Sequence, residues 1–138
     1  MCLARIHDAS SLTPAAIRYK VVARIERDGS RRYKPISGYL TTDMFSYPSD
    51  GVGIGGGWGL KSYLETDTHP SNYVPGVHTW KTKQAALQCY MRMNTMYPIA
   101  LVRVEARGPL ATGYEPIGRH RYKVDVWREI RILEEIPV

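Results

Sequence analysis

Residues 82–107 read TKQAALQCYMRMNTMYPIALVRVEAR, and a change of period inside this stretch decides the fold class. In its first half Thr82 precedes Ala86, Leu87, Tyr90 and Met91 at helical spacing, with Lys83, Gln84, Gln88 and Arg92 between them. A hydroxyl that can accept from an open backbone N–H, followed by one apolar stripe, predicts an amphipathic helix over 82–95. Pro98 then ends the helical pattern, and Ala100, Val102, Val104 and Ala106 alternate with Arg103, Glu105 and Arg107. That period of two is the signature of a half-buried strand.

Outward from this core the same alternation recurs. Tyr19, Val21, Ala23 and Ile25 face one way and Lys20, Arg24 and Glu26 mainly the other, up to Asp28-Gly29, a pair suited to a hairpin turn. Residues 32–40 are expected to return beside that strand at an edge, because Pro35 cannot donate to a ladder. On the C-terminal side Gly108-Pro109 is expected to stop the strand. Tyr122, Val124 and Val126, then Ile130, Ile132 and Ile136, give one or two further strands over 121–136. Near the start, Ser11 or Thr13 as cap and Pro14 in a first turn read as a helix of one or two turns over 10–16. The sum is a single α+β domain over 1–138. It has a mostly antiparallel or mixed sheet of about five strands, one principal helix on one face, and a long Gly-rich loop.

Composition bounds the function. With 43% hydrophobic and 23% charged residues in 138, the chain has the balance of one globular domain rather than of a disordered segment. A net charge of +6 biases it toward anionic partners, phosphate above all, although a small basic protein needs no such partner. Two cysteines, Cys2 and Cys89, make no disulfide framework, and the four histidines at 7, 69, 78 and 120 lack ligand spacing, so neither a metal nor a cofactor is expected. The absence of a long apolar run predicts a soluble cytoplasmic protein with no membrane contact.

Three stretches carry candidate chemistry. Residues 41–75 form a long segment rich in Gly, Ser, Tyr and Pro, and Gly51 to Gly59 holds six glycines in nine residues. Its N–H groups can approach a phosphate, or it is a flexible loop with Trp58 as a packing anchor and the least protected backbone in the chain. It lacks the Gly-Lys-Ser/Thr ending of a phosphate-binding loop. Gly76-Val77-His78-Thr79-Trp80 places an imidazole beside a helix start, fit for acid–base work or for a plain hydrogen bond within a strand. Arg119-His120-Arg121-Tyr122-Lys123 is the densest cationic group. Arg119, Arg121 and Lys123 share one parity opposite Tyr122, and this is either a solvated strand face or an anion-contacting patch.

Met1-Cys2-Leu3, Tyr19-Lys20-Val21 and the turn Gly76 to Thr82 resemble pieces of small uncharacterised proteins of phages and other mobile elements. That resemblance implies an accessory role, anti-defence included, in the cytoplasm of a bacterial host. The partner it implies is a phosphate-bearing small molecule or a host protein–nucleic-acid complex. The order of turn, helix and strand also resembles the second half of ADP-ribosyltransferase-like folds, which would make His78 and Glu134 or Glu135 the catalytic candidates. No Ser-Thr-Ser or Glu-x-Glu motif accompanies them. The expectation is therefore a binding protein engaging its ligand through Arg119, Arg121, Lys123, Tyr122, His78 and Trp58. An NAD-using enzyme and a virion or structural accessory protein are the alternatives.

Overall fold

The computed structural model describes residues 5–7, 12–34, 51–56, 58–60, 76–93 and 98–138. They form seven strands and one helix. The strands are β1 (Arg5–His7), β2 (Ala15–Arg27), β3 (Ser30–Lys34), β4 (Gly59–Leu60), β5 (Val77–Trp80), β6 (Ile99–Ile117) and β7 (His120–Ile136); helix α1 (Lys83–Arg92) lies between β5 and β6. Five of the strands are four residues or longer, and every pairing is antiparallel. The α+β reading holds only in the coarse sense, because the sheet dominates. Among the described residues no helix is long and apolar enough to cross a membrane.

The sheet closes on itself. β6 pairs with β2 along one edge and with β7 along the other; β7 pairs with β5, and β5 returns to β2 through Tyr19 and Trp80. Such a circuit requires bent strands, and two register shifts supply the bends. Leu110 is the extra residue between the pairs Pro109–Trp127 and Ala111–Val126, and Leu133 is extra between Val104–Ile132 and Arg103–Glu134. One extra residue on one strand bends it and strengthens its twist.

This explains why Gly108-Pro109 does not end the strand as expected. Gly108 takes φ 72°, its N–H donates to the Pro14 carbonyl, and Pro109, which has no N–H to give, sits beside the bulge. β6 therefore runs on through 111–117, a stretch whose alternation is too weak to see. Asp28 and Gly29, at φ 52° and 75°, make the expected two-residue turn between β2 and β3. Positive φ at both central positions matches the right-handed twist of the flanking strands. Residues 35–40 of the expected second strand lie outside the described residues.

Over the described residues 12–16 the helix expected at 10–16 is not formed. Leu12 to Pro14 is a bend in which the Thr13 hydroxyl donates to the Ala15 carbonyl, and β2 begins at Ala15. Nine consecutive pairings with β6, from Ala15 to Ala23, outweigh the local cap signal.

Helix α1 starts where expected: Thr82 is the cap, and its Oγ accepts from Ala85 N–H at 3.2 Å. Its buried stripe is shifted, however. Ala85 and Ala86 are buried and Leu87, Cys89, Tyr90 and Met93 pack with them, whereas Met91 is 67% exposed. Counting three, four and seven residues from Ala86 gives 89, 90 and 93; Met91, five residues on, is turned away from the sheet. The helix ends at Arg92, short of the expected 95, because Met93 is extended at φ −78° and ψ 131° with its N–H on the Tyr90 carbonyl; residues 94 and 95 lie outside the described residues.

Both faces of the sheet are covered. On the helix side Val21, Trp80, Leu101, Ala111, Val124 and Val126 form one apolar cluster. Inside the curl Val22, Tyr33, Val77, Val102, Val104, Trp127, Ile130 and Ile132 form another. The Gly-rich segment is stitched to this second layer. Val52 and Tyr33 exchange backbone hydrogen bonds at 2.8 and 2.9 Å, and Gly55 N–H donates to the Ile132 carbonyl at 2.9 Å. A Cβ on Gly51 would lie 2.6 Å from the Tyr33 carbonyl oxygen, which is why a glycine stands there.

Candidate functional site

The antiparallel register sets the two ends of the sheet apart. β6 and β7 meet at a two-residue turn, Gly118-Arg119, flanked by the pair Ile117–His120, with Gly118 at φ 62°. The β2–β3 turn lies at the opposite end, since Ala23 pairs with Ile99 and Ala15 with Arg107. Charge divides along the same axis.

At the far end and middle, acids and bases neutralise one another across strands. Glu135 accepts from Tyr33 Oη at 2.8 Å and pairs with Arg24 at 3.3 Å, while Arg31 spans Glu135 and Glu26. Arg103 pairs with Glu134 at 2.9 Å, Arg131 with Glu105 at 2.5 Å, and Arg107 with Glu129. Exposed pairs of this kind add little stability, because water screens them and two long side chains must be held still, so their main effect here is to cancel charge.

At the β6–β7 tip the balance is different. Arg119, His120 and Arg121 are exposed and Lys123 is half-buried. Arg92, in the last turn of α1, lays its guanidinium against the turn: a Cβ on Gly118 would come within 2.7 Å of its Nη2. Lys81 joins the group, its N–H donating to the Lys123 carbonyl at 3.1 Å. Among the described residues none of Arg92, Arg119, Arg121 and Lys123 is in an ion pair. One described acid, Glu115, lies on this end, paired across the ribbon with Tyr122, and burial pushes its carboxyl upward toward the neutral form.

The expected residues sort themselves on this frame. Arg121 and Lys123 point away from α1, opposite Tyr122 and Val124, as the alternation requires. Arg119 does not share that face, because it sits in the turn itself. Tyr122 packs in the helix-side cluster, edge-on to Trp80 at 6.5 Å and tilted against His120 at 6.2 Å, so its ring anchors the tip. His78 is on a strand and fully buried, and its carbonyl accepts from Lys20 Nζ at 2.8 Å. Glu134 is on the exposed surface beside Arg103. His78 pairs with Val126, so eight residues of β7 separate it from Glu134, about 26 Å of strand at ~3.3 Å per residue. The two do not converge.

Trp58 lies against both Arg107 and Arg131, whose guanidinium carbons are 3.8 and 4.8 Å from its ring centroid. It therefore sits midway along the sheet and away from the tip. With Val52 and Gly55 N–H groups in the ladder and Gly56 N–H turned to the Gly53 carbonyl at 3.3 Å, these glycines stitch the segment to the sheet. Cys89 is partly buried, and burial raises its thiol pKa, the opposite of what an activated nucleophile needs. Among the described residues no group of His, Cys, Asp and Glu could hold a metal ion.

Two features were not visible in the sequence. Arg92 read as a solvated helix residue, and only the packing of α1 brings it to the turn. Asp125 alternates with the apolar residues Val124 and Val126 like Arg121 and Lys123, yet it is fully buried. Its Oδ2 accepts from Arg18 Nε at 2.6 Å and its Oδ1 from the Thr112 hydroxyl at 2.5 Å. The Thr79 hydroxyl donates to the Asp125 carbonyl and accepts from Trp127 Nε1, and the Arg18 guanidinium lies over the Trp127 ring at 5.4 Å. This network closes the interior next to the basic tip.

Compared with known proteins, the chain matches no family model, and neither a curated protein nor a solved structure matches it significantly.

Proposed function

We propose that this protein is a small accessory binding module that engages a phosphate-bearing ligand, alone or within a nucleic-acid-associated host complex, through the basic tip of the β6–β7 hairpin. One observation carries the reading: apart from the half-buried Glu115, whose carboxyl burial pushes toward the neutral form, the described acids are in ion pairs or stand at the other end of the sheet, while Arg92, Arg119, Arg121 and Lys123 gather at the tip with no ion-pair partner among the described residues. Uncompensated cations repel one another and cost stability, and an anionic ligand relieves that repulsion. Guanidinium groups present planar forks that match phosphate oxygens. Binding rather than turnover also suits the site, since the buried His78 and the distant Glu134 form no acid–base pair and Cys89 is held as a thiol.

The test is calorimetric titration of inorganic polyphosphate into the protein and into R119A/R121A. Charge-assisted hydrogen bonds contribute about 1.5–3 kcal/mol each, so the double variant loses at least about tenfold in affinity, with no fall in Tm. Equal affinity in the two proteins would overturn the proposal.

A further inference from the structure

The α1 side of the β6–β7 tip is filled. Ile117 and Tyr122 pack in the helix-side cluster, one carboxylate oxygen of Glu115 is wholly buried, and Arg92 lies against Gly118. Arg121 and Lys123 stand on the other face, and that face runs on into the curl of the sheet. Residues directly opposite in an antiparallel pair share a face, so Pro116–Arg121, Tyr114–Lys123 and Thr112–Asp125 follow one another along it. Exposure falls in the same order: Arg121 is exposed, Lys123 half-buried and Asp125 fully buried.

Arg18 stands at the inner end. From β2 its guanidinium crosses to β7, where Nε donates to Asp125 Oδ2 at 2.6 Å and the guanidinium carbon lies 5.4 Å from the Trp127 ring centroid. Nη1 donates to the Ile17 carbonyl at 2.8 Å. Among the described residues nothing accepts from Nη2, and Nη2 is not sealed from water. Asp125 is itself fixed, by the Thr112 hydroxyl on its carboxylate and the Thr79 hydroxyl on its carbonyl. A buried ion pair adds little net stability over an apolar pair of the same size. It does hold a guanidinium in one orientation, which a planar fork for oxyanions requires. Asp125 cancels the charge of Arg18, so the inner end supplies directed N–H groups and Lys123 and Arg121 supply net positive charge.

We propose, resting on the anion-binding reading above, that Arg18 is the inner anchor of the site and that the site takes a terminal phosphate end-on. Nη2 of Arg18 donates to the phosphate oxygens, and Lys123 and Arg121 line the way in. A terminal phosphate offers three acceptor oxygens and, with a second ionisation near about pH 6, extra charge. An interior phosphate carries a chain on each side, which a recess closed by Asp125 and Trp127 does not admit. Arg121 to Asp125 is about 13 Å along β7 at ~3.3 Å per residue, a depth that a chain end can cross and a chain middle cannot.

Calorimetry on the full chain compares linear tripolyphosphate, which has terminal phosphates, with cyclic tetrametaphosphate, which has similar charge and none. The linear anion is expected to bind at least about tenfold tighter. That preference is expected to vanish in R18K, which keeps the charge beside Asp125 but not the fork, and in R18M/D125L, which removes the buried pair as a whole. In the native protein the NMR signal of the Arg18 Nε–H group is expected to move with tripolyphosphate and to stay in place with tetrametaphosphate. An oligonucleotide with and without a terminal phosphate identifies the source. Preference for the phosphorylated strand assigns the site to nucleic-acid ends, and equal binding of the two strands beside a preference for tripolyphosphate assigns it to small phosphorylated molecules. Equal binding of the two inorganic anions, a preference retained by folded R18K or R18M/D125L, or an Arg18 signal that neither anion moves would overturn end-on recognition while leaving anion binding at the tip intact. No binding of either anion would overturn both.

Discussion

Asp125 is an ionised group in the interior of a small sheet, and its cost depends on its partners. The carboxylate is fully buried and Arg18 is 13% exposed, so removing one charge strands the other in a low dielectric. Breaking such a pair costs about 3–5 kcal/mol, whereas replacing both partners with apolar residues of similar size can be neutral. D125A should therefore lose about 3–5 kcal/mol in urea unfolding and R18M/D125L markedly less; a D125A loss below about 1 kcal/mol would show that the pair is solvated.

Tyr33 offers a second residue-scale test. Burial, with the Glu135 carboxylate beside it, raises its hydroxyl pKa from 10.0 to about 12. The raised value means that the folded state favours the neutral hydroxyl. Its contribution is fully present below pH 10 and is lost as pH rises through about 12. The Tm advantage of the native protein over Y33F should thus be constant below pH 10 and shrink above it, measured by scanning calorimetry. A gap that widens at high pH would contradict the assignment.

At the scale of elements, the Gly-rich segment and β6 behave differently from what their composition suggests. Glycines are costly to order, and a stretch holding six of them reads as a loop. Once Val52 and Gly55 donate to β3 and β7, that cost is met by ladder bonds and by Trp58 resting against two guanidiniums. Hydrogen exchange should find the Val52 and Gly55 amides protected well above the exposed turn at Gly118-Arg119; exchange as fast as the turn would mean that the segment detaches in solution. The helix start and its cap were legible because they are local: Thr82 needs only Ala85 N–H three residues on. The wrong member of the stripe, Met91, shows that local periodicity leaves the facing direction free until a sheet is placed beneath it.

For the molecule as a whole, the decisive fact is that β2, β6, β7 and β5 form a closed circuit of antiparallel pairs. Its contacts join distant parts of the chain: Arg5 pairs with Tyr114, and Arg24 reaches Glu135. Loop-closure entropy must be met before such contacts form, so folding is slow relative to helical proteins of this size. Refolding followed by Trp fluorescence in stopped flow should fall on the order of milliseconds to seconds, and a microsecond phase carrying the full amplitude would contradict the closed topology.

The sequence by itself determined the elements that short-range chemistry specifies: helix α1 and its cap, the Asp28-Gly29 turn, and the alternating cores of β2, β6 and β7. Period two marks two faces of a strand without saying what covers each. Only the tertiary structure decided that both are covered, one by α1 and the other by the curl of the sheet itself. That is why Arg18 and Asp125, charged residues whose pairing no local pattern specifies, meet at 2.6 Å with the carboxylate fully buried. Arg119, Arg121 and Lys123 were legible as a cationic run, but that no described acid forms an ion pair with them was not. It arises because antiparallel register carries Glu26, Glu134 and Glu135 to the opposite end of the sheet and α1 delivers Arg92 to the tip.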